Sequence, residues 1–441
     1  MSFPKYPAYK DSGVEWLGEV PKHWDVRPLK WLVEQITEKA ITSSFQVGLE
    51  NIEGWTGRFI ETDAEFSGDG VEFQKGDVLF GKLRPYLAKV WLADRSGQAV
   101  GDFFVLRPNA INCEFLHKYI LSPSVIDDLN ASTIGAKMPR VGWEDMAGLA
   151  VALPSCEEQI QIARFLDHET ARIDALIEEQ QRLIELLKEK RQTVISHAVT
   201  KGLDPSVPMK DSGVEWLGEV PAHWPVVPFG LAFEYQEGPG IMAVDFRDEG
   251  VPLIRISGIQ GRWVTLDGCN YLEPSKVQGK WAHFRLDKGD LIISGSASMG
   301  LVSEVGEDVA GAVAYTGLIK LKPRAKISVR DFIRSVVGSY QFYAQIDLLK
   351  AGSTIQHFGP THLSQMKIVL PPVNEQVQIA AYVADASVQF DELLGEAEKT
   401  NALLQERRSA LISAAVTGKI DLRGWQPPAS TPDPIRVQET A

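Results

Sequence analysis

The strongest constraint on how this chain folds is an internal repeat. The stretch KDSGVEWLGEVPKHW, from Lys10 to Trp24, returns as KDSGVEWLGEVPAHW, from Lys210 to Trp224, with Ala222 in place of Lys22. Further blocks return in the same order. VGLENIEGWTGRF (from Val47) matches IRISGIQGRWVTL (from Ile254) in pattern, FQKGDVLFGK matches LDKGDLIISG, and FFVLRP matches TGLIKLKP. The tripeptide STI recurs at Ser132 and Ser353, and LPSCEEQIQIARFL (from Leu153) matches LPPVNEQVQIAAYV (from Leu370). The offset grows in small steps along the chain, apart from a local excursion at STI. That is the mark of one domain duplicated, with insertions collected in loops.

Each copy has two parts of different character. The middle sections carry short apolar runs (GDVLFGK, DFFVLRP, LAVALP, PLIRIS, GDLIIS) bounded by turn formers, which predicts strands. Apolar residues at three- and four-residue spacing predict helices at EFLHKYILS and DFIRSVVGSYQFYAQI. The closing sections read as long helices. From Glu158 to Ala198 there is neither proline nor glycine, and Leu166, Ile173, Gln180, Leu187 and Val194 fall seven residues apart, with Leu176 and Leu183 between them. The second copy keeps the spacing through Val383, Phe390, Ala397, Leu404 and Leu411, with Leu393 interposed and Gly395 in mid-helix. Such a stripe predicts a coiled coil. The expected architecture is therefore α+β: two β-rich domains in tandem, separated by two long helices that pair antiparallel, in a pseudo-two-fold duplication. The expected divisions are a first domain at 1–152 (lead-in 10–24), a helix at 153–204, a second domain at 205–369 (lead-in 210–224), a helix at 370–423, and a disordered Pro-rich tail at 424–441. The lead-in, with Trp16, Leu17, Val20 and Trp24, reads as an apolar strap packed on the domain or its helix.

At 441 residues the chain is long enough for two or three cores, and 44% hydrophobic with 23% charged residues is an ordinary globular composition. No apolar run approaches a membrane helix, and the N-terminus has no secretion-signal core, so a cytoplasmic location is expected. The three cysteines, Cys113, Cys156 and Cys269, form no CxxC pair, so neither a disulfide framework nor a zinc site is indicated. Catalytic motifs are missing too: there is no P-loop, no HExxH and no histidine cluster. SGSASMG lacks the first glycine of a nucleophile elbow, and GPGIMA meets only a relaxed dinucleotide fingerprint. Neither an enzyme nor a resident cofactor or metal is expected.

The net charge of −13 argues against a generic polyanion binder. Between Val226 and Leu370, however, acidic and basic residues nearly balance, so local basic grooves are compatible with the total. The loop FGKLRPYLAK places Lys82, Arg84, Tyr86 and Lys89 around a proline turn, and GAKMPRVGW adds Lys137 and Arg140. Arg and Lys on rigid turns can reach phosphates or guanine edges. The matching loops of the second half are more polar than basic: Ser294, Ser296 and Ser298 in SGSASMG, and Gln356, His357 and His362 in GSTIQHFGPTH, with Arg255 nearby in PLIRIS. Gln and Ser suit base edges.

Taken in order, KDSGVEWLGEVPKHW, VGLENIEG, GDVLFGKLRPYLAK and LPSCEEQIQIARFLD with its helical continuation closely resemble the specificity (S) subunit of type I restriction–modification systems, over nearly the whole chain. The resemblance implies a non-catalytic DNA-reading subunit with two target recognition domains, each binding half of a split, asymmetric site. It also implies helices that act as a spacer ruler and dock two methyltransferase (M) subunits at the heptad residues above. M would carry S-adenosylmethionine and flip the target adenine. Motor–nuclease (R) subunits would bring ATP and Mg²⁺. The competing expectations are a coiled-coil scaffold, or an acidic decoy that occupies M without reading DNA.

Overall fold

In the computed structural model, which describes residues 3–39, 45–63, 70–133, 135, 137–295, 302–350 and 358–427, the chain forms two compact units. The first comprises Met1–Gln181 and Lys399–Ala441, the second Arg182–Glu398. The unit boundaries cut through both long helices, Cys156–Lys201 and Val373–Val416. A compact unit is thus a β-rich head with half of each helix, unlike the serial division into head, helix, head and helix.

The duplication is visible in the sheets. In the first unit a four-stranded antiparallel sheet has the spatial order Val33–Ile36, Phe103–Pro108, Val78–Gly81, Val90–Leu92. In the second the order is Phe233–Glu237, Leu318–Pro323, Leu291–Ser294, Val302–Glu304, the same succession of repeat blocks. Each unit also pairs the strand after the lead-in with the strand before the long helix: Asp25–Pro28 with Ala150–Leu153, and Val226–Pro228 with Lys367–Val369. A three-stranded sheet differs between the copies. Both contain a parallel pair, but the third strand joins Gly97–Val100 in the first unit and Val251–Ile254 in the second.

Matching polar residues brace the two frames. Arg107 makes a bidentate ion pair with the buried Asp77 (3.0 and 2.9 Å), and Lys322 lies 3.3 Å from Asp290. Gln159 donates to the Pro154 carbonyl and accepts from the Asn112 amide, while Gln376 donates to Pro371 and accepts from Val329. These contacts satisfy backbone groups at the point where strand passes into helix.

The repeated phrase is an apolar strap closed by a carboxylate. Leu17, Val20 and Trp24 are buried with Ile162, Phe165, Leu166, Ile412, Ala415 and Val416 in one core. Trp24 Nε1 donates to Glu158 Oε1 (3.3 Å), as does the Tyr6 hydroxyl (3.0 Å), and His23 Nε2 lies 3.0 Å from Glu158 Oε2. The second copy repeats the clamp, with Trp224 Nε1 donating to Glu375 (2.9 Å) and His223 Nε2 at 2.9 Å. Burial, followed by the adjacent Glu158 charge, pushes the Tyr6 phenol well above its ordinary value.

Helix pairing is antiparallel in each unit. Arg408 grips Asp174 (Nε 2.7 Å) in the first, and Arg191 grips Asp391 (2.7 Å) in the second. Of the heptad residues, Leu166, Ile173, Val383 and Ala397 are buried, and Gln180, Leu187, Val194, Phe390, Leu404 and Leu411 are half-buried. The interposed leucines depart from expectation: Leu176, Leu183 and Leu393 are exposed. The inner column instead holds Ile184, buried, with Ile177 and Leu394 half-buried. A second correction concerns the tail. Trp425 stacks edge-on against Phe165 with centroids 5.2 Å apart, and its carbonyl accepts from Gln161, so the ordered fold continues past 424. Residues 428–441 lie outside the described residues.

Candidate nucleic-acid interface

In the first unit the strand Val78–Gly81 runs into the turn that carries Lys82 to Lys89. The two loops singled out from the sequence meet there. The Val141 amide donates to the Lys82 carbonyl (3.1 Å), the Arg84 amide donates to Pro139 (2.8 Å), and Leu83 bridges Arg140. One single-turn helix, Pro85–Leu87, is flanked by Arg84 (φ 52°) and Ala88 (φ 46°), both left-handed. Trp55 (φ 66°), whose amide donates to the Ala88 carbonyl, is a third. Only four non-glycine residues adopt positive φ among the described residues, and three of them are in this cluster. Each costs on the order of 1–2 kcal/mol, and local strain held in place by surrounding structure concentrates at binding sites.

The side chains then sort themselves. Arg84, Lys137 and Arg140 are exposed, and Tyr86 shows 45% of its surface. Arg140 donates to Asp102 (2.8 Å), which orients its guanidinium. Lys82 lies half-buried over the Phe104 ring (4.7 Å), where burial pulls its pKa down. Lys89 is different: its ammonium donates to the Leu49 carbonyl (2.6 Å) and supports the loop from behind. Sequence reasoning missed Trp55 and Met138, both exposed at the same cluster. The signal for Trp55 was an aromatic inside the turn-rich EGWTGR.

In the second unit the same loops meet. Gly295, at the end of the strand Leu291–Ser294, donates to Gly317 (2.7 Å) and accepts from the Phe358 amide (2.9 Å). Two expectations change here. Ser294 is buried at the strand end. His362 Nδ1 accepts from the Gly359 amide (3.2 Å) and so caps its own short helix. Arg255 packs its guanidinium on the Tyr315 ring (3.9 Å) and lies within 3.4 Å of Asn270 Oδ1. Ser296, Ser298, Gln356 and His357 lie outside the described residues.

Among the described residues no helix is long and apolar enough to cross a membrane, and no cluster of His, Cys, Asp or Glu could hold a metal ion. Each unit thus brings its own pair of chain segments together at the same end of the same sheet.

Comparison with known proteins identifies the class. The type I restriction modification DNA specificity domain matches residues 21–187 and again 224–399. The chain belongs to that family, with two DNA specificity domains in tandem. Among its relatives are the type I restriction enzyme MjaVIII specificity subunit of Methanocaldococcus jannaschii (23% identical, covering 67% of this chain and 68% of the relative) and the putative MjaX specificity subunit of the same organism (22%, covering 96% and 99%). The EcoKI specificity subunit of Escherichia coli K12 is 21% identical, covering 76% of this chain and 71% of that one. The fold matches a chain solved in work on complex assembly and conformational transition of a type I R-M system (TM-score 0.71, 20% identity, 90% and 98% covered). It also matches the HsdS subunit of Thermoanaerobacter tengcongensis (TM-score 0.51, 19%, 91% and 98%). The chain is a type I restriction–modification specificity subunit, and the scaffold and decoy readings have no support.

Proposed function

We propose that each head reads one half of a bipartite, asymmetric DNA site. The observation that carries this is the pairing of loops at the same end of the same sheet in both units, on a shared backbone frame but with different sequences. GKLRPYL stands in the first where SGSASMG stands in the second. In the first head the contacts are Arg84, Tyr86, Lys137 and Arg140, with Lys82 behind them. In the second they are Arg255 and the sequence candidates Ser296, Ser298, Gln356 and His357. A frame held constant with unlike loops calls for two unlike half-sites.

The antiparallel helices set the spacer and dock two methyltransferase subunits. Half-sites about 34 Å apart, one turn of duplex, lie on one face of the DNA. The chain itself carries neither catalytic group nor cofactor; S-adenosylmethionine, ATP and Mg²⁺ reside on the methyltransferase and motor–nuclease partners, and the complex works in the cytoplasm. Partners also supply phosphate contacts that an acidic chain lacks. The test is selection from random duplexes by the complex of this chain with its methyltransferase, read by electrophoretic shift. Enrichment of two unlike half-sites at a fixed spacing supports the proposal, and enrichment of none defeats it.

A further inference from the structure

The second unit holds a cavity of about 500 Å³ that the DNA-reading loops do not explain. It lies toward the opposite end of the four-stranded sheet. The reading loops leave from the Ser294–Leu318 end, whereas Arg285, Lys288, Lys320 and Lys322 line the cavity. Two of these cations have carboxylate partners: Lys322 pairs with Asp287 (2.5 Å) and Lys288 with Glu307 (2.6 Å). Arg285 and Lys320 form no ion pair among the described residues. The Lys320 ammonium donates to the Arg285 carbonyl (3.0 Å) and Arg285 Nε to Gly311 (3.4 Å).

Lys320 is 8% exposed, a costly setting for a lysine that the nearby Asp290 and Asp287 charges offset only in part. Burial pulls its pKa below the ordinary value. The frame does not need it. Along the repeat Lys322 corresponds to Arg107, so Lys320 corresponds to Val105, a core residue, and Arg285 to Glu72. The duplicated brace between Asp77 and Arg107 is complete without either cation. Gly311 makes room for the guanidinium: its φ is 91°, and a Cβ there would come within 2.9 Å of Arg285 Nη2. The second half has therefore acquired a concave cluster of cations that its twin lacks.

We propose that this cavity binds a phosphate ester. Two cations that make no direct ion pair among the described residues, one a planar guanidinium and one a buried ammonium, suit phosphoryl oxygens, and the volume is that of a small-molecule site. The ester is that of a free nucleotide or of a DNA backbone, and either is bound independently of base reading. The probe is inorganic pyrophosphate titrated calorimetrically into the full-length chain at constant ionic strength. The expected result is saturable one-to-one binding. It weakens at least about tenfold in Lys320→Val, the residue of the first half, and in Arg285→Gln, and it is unchanged in Lys280→Gln, whose ammonium lies over the Trp281 ring (5.6 Å) and outside the cavity lining. Displacement by adenosine monophosphate identifies a free nucleotide as the source, and displacement only by nonspecific duplex identifies the DNA backbone. The proposal is overturned by absence of saturable binding, by undiminished binding in both variants, or by pyrophosphate that neither competitor displaces. None of these outcomes depends on the DNA-reading assignment, which the duplex selection tests separately.

Discussion

His117 shows what burial does to a single side chain. It is buried, with Nε2 3.3 Å from the Val90 carbonyl, and its pKa is lowered to about 3 by burial, then by Lys118 and, more weakly, Arg408. The folded state holds the neutral ring, so its folded value lies below the unfolded 6.5. The stability it supports is complete above that unfolded value and is lost as pH falls from 6.5 toward 3, by about 1.4 kcal/mol per pH unit. Urea midpoints measured across that range should fall with pH, and His117→Gln should flatten the curve. Glu158 makes a second case. Replacing it with Ala strands the buried Trp24 Nε1 and Tyr6 hydroxyl, at a cost of about 1–3 kcal/mol. Glu375→Ala should cost less, because Glu375 is 30% exposed against 8% for Glu158. Denaturation of the two variants compares the clamps. The repeat exposed Trp24, Trp224 and their strap character, but not that both indoles seek a carboxylate more than a hundred residues away, because pattern carries no information on distance.

Among the elements, the two long helices were the most legible. Proline-free length and seven-residue spacing located them and one of their seams. The other seam was misplaced by one residue, since Leu176 and Ile177 are equally apolar and period alone does not say which side meets a partner. The ion pairs were not legible at all. Asp174–Arg408 and Arg191–Asp391 are copies of one contact, yet their surroundings differ. Arg408 is 9% exposed and also donates to the Trp55 carbonyl (2.9 Å), tying helix to reading turn, whereas Asp391 is exposed. Arg408→Ala should therefore destabilise by about 3 kcal/mol, and Arg191→Ala by less than about 1 kcal/mol, in thermal or urea unfolding. Gly395 sits in mid-helix, and a Cβ added there would meet nothing within 4 Å. Gly395→Ala should stabilise by about 0.5–1 kcal/mol, read the same way.

At the scale of the whole molecule, duplication explains why so much could be read from sequence and why the reading surfaces could not. Strands, strap and helices recur because both units must bury the same core. The loops answer to a ligand outside the chain, so neither composition nor period specifies which side chains face it. Lys89 and Ser294 looked like contacts and turned inward, while Trp55 and Met138 went unnoticed. The central claim, two unlike reading heads on one frame, is tested most directly by sequencing the methylome of cells that express this chain with its methyltransferase, beside cells carrying Arg84→Ala. The account predicts methylation at one asymmetric bipartite motif of fixed spacer, with the variant relaxed in a single half-site. Methylation without a bipartite motif, or equal loss of discrimination in both halves, would contradict it.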